Sequence, residues 1–183
     1  RGFNQIHINA FYSILDRRFT DLIIQPGRKR NEYVAFCQMV DSAGSSGPPT
    51  VYFADMGFAS YNNFAHVIEN KQFFLIRCND KRLSGILGRP VDDLKEMDAR
   101  VERILTRTHS KKKRSRPNLS DQYRFICKAV SMDYLDENRT EYDISLRIVR
   151  FEIAPGSFEN IITNLPEMEF DFEDFKDLYH LRW

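Results

Sequence analysis

The sequence predicts an α/β domain built on a mixed sheet, and three observations carry that prediction. Two short continuous apolar runs, TVYFAD (50–55) and KQFFLIRCN (71–79), read as strands buried on both faces. Segments with apolar residues at helical spacing stand between them. The order through residue 80 is strand, strand, helix, strand, helix, strand, the order of a mixed sheet flanked by helices.

Taken in order, QIHINAFYSIL (5–15) alternates strictly and puts Ile6, Ile8, Ala10, Tyr12 and Ile14 on one face of a strand. RRFTDLIIQPG follows and closes on the turn pair Pro26-Gly27. With Asp16, Arg17 and Arg18 between them, the two runs form a hairpin. Tyr33, Phe36, Cys37 and Val40 recur at helical spacing, with Asn31 as cap and Gly44 as exit. SAGSSGPP (42–49) is a loop ahead of the strand TVYFAD. Ser60 opens a helix that turns Phe64, Val67 and Ile68 inward, and KQFFLIRCN is the next strand.

Beyond about residue 80 charge density rises. VDDLKEMDARVERIL reads as a helix or an irregular arm, and THSKKKRSRP as a basic loop. YRFICKAVSM and YDISLRIVRFEI are strand-like, separated by the turn DYLDENRTE. After Pro155-Gly156, ENIITNL is one more strand. Asp171 then caps a last helix with Phe172, Phe175, Leu178, Tyr179 and Arg182 near one another.

Bulk composition narrows the function classes. The chain has 183 residues, is 42% hydrophobic and carries a net charge of +1, so a nucleic-acid partner must be argued from local clusters. Cys37, Cys78 and Cys127 are widely spaced and odd in number, which favours reduced thiols over a disulfide or metal framework. His7, His66, His109 and His180 show no ligand spacing and read as surface or packing histidines. No apolar run approaches the ~20 residues of a membrane span, and no signal peptide is visible. The chain opens at Arg1 without an initiator methionine and stops at Trp183 within a helical pattern, so it is expected to be a piece of a longer protein.

Three places carry chemistry. Asp55 stands at the carboxyl end of a buried strand, where open α/β sheets bind ligands. It reads as a metal-binding or general-base carboxylate, or as a turn residue of Asp-Met-Gly. Gly57 would let a ligand or backbone approach closely. The second place is the run Arg100, Arg103, Arg107, Lys111, Lys112, Lys113, Arg114 and Arg116, interrupted by Glu102 alone among acids. Such a run neutralises phosphates or forms a solvated loop. The third is LYHLRW at 178–183. Tyr179 and Arg182 share a helix face. They could grip a phosphate by charge-assisted hydrogen bonds. Alternatively, Tyr179 packs in the core while Arg182 pairs with Asp177 or Glu173.

The stretches GFNQIHINAFYSILDRRFTDLIIQPGRKRNE, ADMGFASYN, ENIITNLP and LYHLRW, in this order, resemble the DDE transposases of bacterial insertion sequences of the insertion-sequence-four type. The resemblance spans nearly the whole chain and is weakest over about 80–150. It implies a ribonuclease-H-like core in which an Asp-Asp-Glu triad holds a pair of magnesium ions. It implies that Asp55 is the second Asp of that triad, catalytic and metal-binding. It implies that Tyr179 and Arg182 open the family's Tyr-x-x-Arg-x-x-x-Glu-x-x-x-x-x-x-Lys signature. Residues 1–80 would then be a partial core lacking its first strand, 81–155 a mostly β insertion with the basic segment, and 156–183 the return strand and the start of the catalytic-Glu helix. The first Asp is expected upstream of Arg1, and the Glu and Lys beyond Trp183. Met56 stands where relatives usually carry arginine.

The function so implied is Mg-dependent cleavage and transfer of DNA strands at transposon ends, in a bacterial cytoplasm, by a homodimer of the parent protein. DNA contacts would come from Tyr179, Arg182, Arg107, Lys111, Lys112, Lys113, Arg114 and Arg116. With a single carboxylate, the piece alone is expected to bind magnesium weakly or not at all and to be inactive. The alternative is a non-catalytic DNA-binding or inert remnant of a mobile element.

Overall fold

The computed structural model of the protein describes residues 5–91, 95–108 and 121–181. Among the described residues, eight strands fall into two sheets. A separate hairpin pairs β1 (Ile6–Ser13) antiparallel with β2 (Arg18–Pro26). The main sheet contains β3 (Val51–Ala54), β4 (Phe73–Cys78), β5 (Met97–Thr106), β6 (Tyr123–Phe125), β7 (Glu141–Ala154) and β8 (Ser157–Thr163). Its spatial order is β3-β4-β8-β7-β5-β6. The β3–β4 and β5–β6 pairs are parallel; the others are antiparallel. This mixed six-stranded sheet flanked by helices is the expected fold class and is consistent with a ribonuclease-H-like fold.

The helices form where the sequence places their caps. In α1 (Glu32–Ala43) the Asn31 side chain accepts from the Val34 N–H, and Gly44 leaves the helix at φ 65°, a left-handed value that suits glycine. In α2 (Tyr61–Glu69) Ser60 accepts from the Asn63 N–H. Asn79 caps α3 (Asp80–Leu87) through the Arg82 N–H, and Gly88 ends it in the left-handed region. The last helix, α4 (Asp174–His180), starts later than its cap suggests. Asp171 still works at the entry: its carboxylate accepts from the Glu173 and Asp174 N–H groups, while Asp174 accepts from the Asp171 N–H. That reciprocal pair is a capping box.

Strand alternation divides the core into two layers. Tyr52, Phe74, Ile76, Ile148 and Ile162 face α1, α2 and α3 and join Phe36, Val40, Phe64 and Val67. Phe64 and Phe74 stack at 4.8 Å between ring centroids. On the opposite face Leu75, Val149, Phe151 and Ile161 pack with Leu165 and with Phe175 of α4.

Two sequence expectations change. Residues 97–106, expected as helix or irregular arm, are β5, paired with β7 from Met97 opposite Arg150 to Thr106 opposite Glu141. Of YRFICKAVSM, only Tyr123–Phe125 is strand. The strands of the segment read as an insertion therefore extend the main sheet. In the hairpin, the face bearing Ile6, Ile8 and Tyr12 is the exposed one, and Phe11 points the other way, onto Phe36 and Tyr52.

Candidate active site

Asp55 directly follows β3 and is the N-cap of a short 3-10 turn, Met56–Phe58. Its carboxylate accepts from the Met56 N–H at 2.8 Å, and its carbonyl accepts from the Phe58 N–H. The turn reading of Asp55 is thus realised, and it does not exhaust the residue. The side chain is half exposed and lies 3.6 Å from Nη1 of Arg77. Arg82 of α3 donates to the carbonyls of Met56 and Ala59 and so clamps the loop that carries Asp55. A Cβ on Gly57 would meet nothing within 4 Å, so space is open beside the turn.

Alternation aligns the neighbours. Phe53 pairs with Leu75 across β3 and β4, so Asp55 and Arg77, two residues on, follow on the same face. Arg77 sits opposite Ile161 of β8, and Glu159 precedes it by one repeat. All three side chains therefore stand on the face that α4 covers. Arg77 grips Glu159 as a fork, Nε to Oε1 at 3.0 Å and Nη2 to Oε2 at 2.8 Å. The Glu159 carboxylate is nearly buried, and the Tyr179 hydroxyl donates to its Oε2 at 3.0 Å. The Tyr179 ring packs edge-on to Phe151 and lies under the Arg77 guanidinium. The Glu159 hydrogen bond, ahead of the neighbouring Asp55 charge, holds the Arg77 pKa above its ordinary value. A continuous chain of contacts, Asp55–Arg77–Glu159–Tyr179, thus links three adjacent strands to the last helix.

Of the residues singled out in the sequence, Asp55 and Tyr179 are brought together, and Arg77 and Glu159 connect them. Those two were missed. The signal was present: an arginine in FFLIRC and a glutamate in FENIIT are opposite charges set inside apolar strands. Arg107 lies elsewhere in the fold. Its guanidinium donates to the carbonyls of Cys127, Val130 and Met132 and holds that turn. Lys111, Lys112, Lys113, Arg114, Arg116 and Arg182 lie outside the described residues.

A divalent cation of the magnesium type takes oxygen ligands. The half-exposed Asp55 carboxylate fits one such ligand position. Among the described residues, no group of three or more His, Cys, Asp or Glu side chains is placed to hold a metal.

A second polar cluster lies on the α2 side. His66 is buried, with Nδ1 2.9 Å from Asp41 and Nε2 3.0 Å from Asp133. Asn62 donates to Asp133 and accepts from its N–H. Burial lifts the thiols of Cys37 and Cys78 to about 12, which makes them inert packing groups at neutral pH.

Fold and site together define a class: a ribonuclease-H-like α/β domain with an acid at the carboxyl end of a sheet strand. Comparison with known families makes this specific. The model of the transposase DDE domain matches residues 1–183, and the chain belongs to that family. No curated protein and no solved structure matches it. The family carries out transposition with DNA cleavage, acts on DNA and generally uses a divalent metal. Among the described residues, no helix is long and apolar enough to cross a membrane.

Proposed function

We infer that this chain is part of the catalytic domain of a DDE transposase of the insertion-sequence-four type. The complete protein would bind transposon ends as a homodimer and cut and join DNA strands with magnesium in the bacterial cytoplasm. The observation that carries this reading is Asp55, half exposed after a sheet strand and linked by Arg77 and Glu159 to Tyr179 on the last helix. In this reading Asp55 is a metal ligand and Lys111, Lys112, Lys113, Arg114, Arg116 and Arg182 contact DNA, while Arg107 and Tyr179, engaged by the 127–132 turn carbonyls and by Glu159, support the fold beside them. Among the described residues the main sheet ends on β3 and the hairpin forms a separate sheet.

The metal would supply nucleophile activation and stabilisation of the leaving oxygen at the scissile phosphodiester. The chain's own residues do the rest. Asp55 offers a fixed carboxylate, Arg77 neutralises charge beside it, and the clamp from Arg82 holds the intervening turn. This reading assigns Asp55 alone of the triad to these residues, and one carboxylate does not hold a pair of cations, so the isolated chain is expected neither to cut nor to join DNA.

A Mg-dependent nicking assay on nuclease-free protein tests both parts. The full-length transposase is expected to nick its end DNA, with Asp55→Asn reducing the rate by at least about 1,000-fold, as for loss of a core catalytic group. The isolated chain is expected to give no nicking. Robust nicking by the isolated chain, or full activity in Asp55→Asn, would sink the reading.

A further inference from the structure

We propose that Glu159 is a positioning residue of the Asp55 site: it holds the Arg77 cation back from Asp55 and ties that cation to the last helix. The inference rests on the transposase reading above and deepens it.

The geometry of Arg77 is the starting point. A guanidinium has two edges that can fork onto a carboxylate. In this protein the Nε/Nη2 edge is committed to Glu159 at 3.0 and 2.8 Å. Only Nη1 faces Asp55, at 3.6 Å, longer than a charge-assisted hydrogen bond. The acid that wins the fork is the buried one. Glu159 has 7% of its side-chain surface exposed and Asp55 has 50%. Burial explains the outcome, because a carboxylate cut off from water gains most from a fixed cation. Tyr179 adds a hydroxyl to the same Glu159 oxygen, and its ring lies 5.8 Å from the Arg77 carbon. The arginine is therefore held from two sides.

The consequence concerns competition for Asp55. A cation that closes onto this carboxylate excludes another cation from it. With Glu159 present, Arg77 lowers the negative potential at Asp55 without taking its oxygens in a fork. With the Glu159 charge removed, the fork is lost, the Tyr179 ring is the described contact left on the guanidinium, and the cation turns to the remaining acid. Closing the gap from 3.6 Å to a contact of ~2.8 Å, at an intermediate dielectric, weakens a competing cation by about tenfold. Glu159 would thus set the cation affinity of Asp55 from a distance, without touching metal or DNA.

The test uses the full-length transposase and Mn²⁺ as probe, with binding read by electron paramagnetic resonance in the absence of DNA. Glu159→Gln is expected to weaken Mn²⁺ binding about tenfold and to raise the Mn²⁺ concentration for half-maximal end cleavage in parallel. Arg77→Gln is expected to tighten Mn²⁺ binding. In the double variant, Glu159→Gln should add less than about twofold to Arg77→Gln, because a residue acting through another loses its effect when that other is gone. A merely structural glutamate would lower the melting temperature in both backgrounds and leave Mn²⁺ binding unchanged. Unchanged Mn²⁺ binding in Glu159→Gln, or a tenfold loss that persists without Arg77, would overturn the proposal. Should Glu159→Gln lose its cooperative melt, Glu159→Asp decides instead: it keeps the charge but shortens the reach, so weakened Mn²⁺ binding supports the idea and wild-type binding overturns it. A wild-type protein that neither binds Mn²⁺ nor cleaves overturns the transposase reading and this inference with it. A wild type that does both, with unaltered variants, overturns this inference alone.

Discussion

The main sheet and the hairpin both present apolar strand residues, and those residues have opposite fates. In β4, Phe74 and Ile76 are fully buried against the helices α1 to α3, and Leu75 is buried against the α4 layer. In the hairpin, one face packs through Phe11 on Phe36 and Tyr52. The other carries Ile8 paired with Ile24 and Tyr12 paired with Phe19, all of them more than half exposed. Alternation identifies a strand in both places. It does not say which face the rest of the chain will cover, because coverage depends on neighbours far away in sequence. In the hairpin the helix α1 selects the face with His7, Asn9 and Phe11 over the one with Ile6, Ile8 and Tyr12.

The contrast should appear first as stability. Phe74 has no exposed surface and stacks on Phe64. Phe74→Ala leaves a cavity between a central strand and α2, so it should cost about 3–5 kcal/mol. Denaturant midpoints at unchanged slope would measure it. A loss below about 1 kcal/mol would mean that the sheet core is as loosely held as the hairpin's outer face.

The same contrast explains what the sequence disclosed. Helices α1 and α2 were legible to their caps because Asn31 and Ser60 act within three residues of themselves. Strand β5 was not. Val101 and Leu105 are four apart, a spacing that suits one face of a helix and one face of a strand alike. Ten residues of pairing with β7, some forty positions away, decide for the strand. The site divides in the same way. Asp55 was legible because an acid closes a short apolar run. Arg77 and Glu159 were visible as charges inside apolar strands, but their pairing was not legible, because they meet only when β4 and β8 pair. His66 looked like an ordinary packing histidine, since Asp41 and Asp133 reach it from another helix and a distant turn.

That His66 cluster links the two regions, because Asp41 belongs to α1, the helix on which the hairpin packs. It gives a smaller, pH-dependent effect. The Asp133 pKa is held below its ordinary value, first by the Asn62 amide and then by the His66 hydrogen bond and charge, with Arg107 adding to them against the cost of burial. A depressed folded-state pKa stabilises the fold above the unfolded value near ~4, and that contribution disappears as pH falls through the folded value. Asp133→Asn should therefore lower the melting temperature at pH 7, and the gap to wild type should close as the pH is brought below ~4. A gap that stays constant from pH 7 to pH 3 would remove the charge from the explanation and leave only packing.

The smallest expected effect on stability lies on the outer face of the hairpin, and it is the one that sharpens the comparison most. Ile8 and Ile24 face each other across the strands with 53% and 57% of their surfaces exposed. Replacing both by threonine keeps the β-branched shape that suits a strand and removes apolar surface that this chain does not bury. In the isolated chain, Ile8→Thr with Ile24→Thr should change the unfolding free energy by no more than about 0.5 kcal/mol. Contiguous exposed apolar surface of this kind drives association. The same double variant should therefore bind less of an apolar fluorescent dye and elute as a smaller species on size exclusion. A destabilisation approaching that of Phe74→Ala would show that the face is buried in solution. A neutral variant with unchanged dye binding and elution would show that the face is exposed but does not cause self-association.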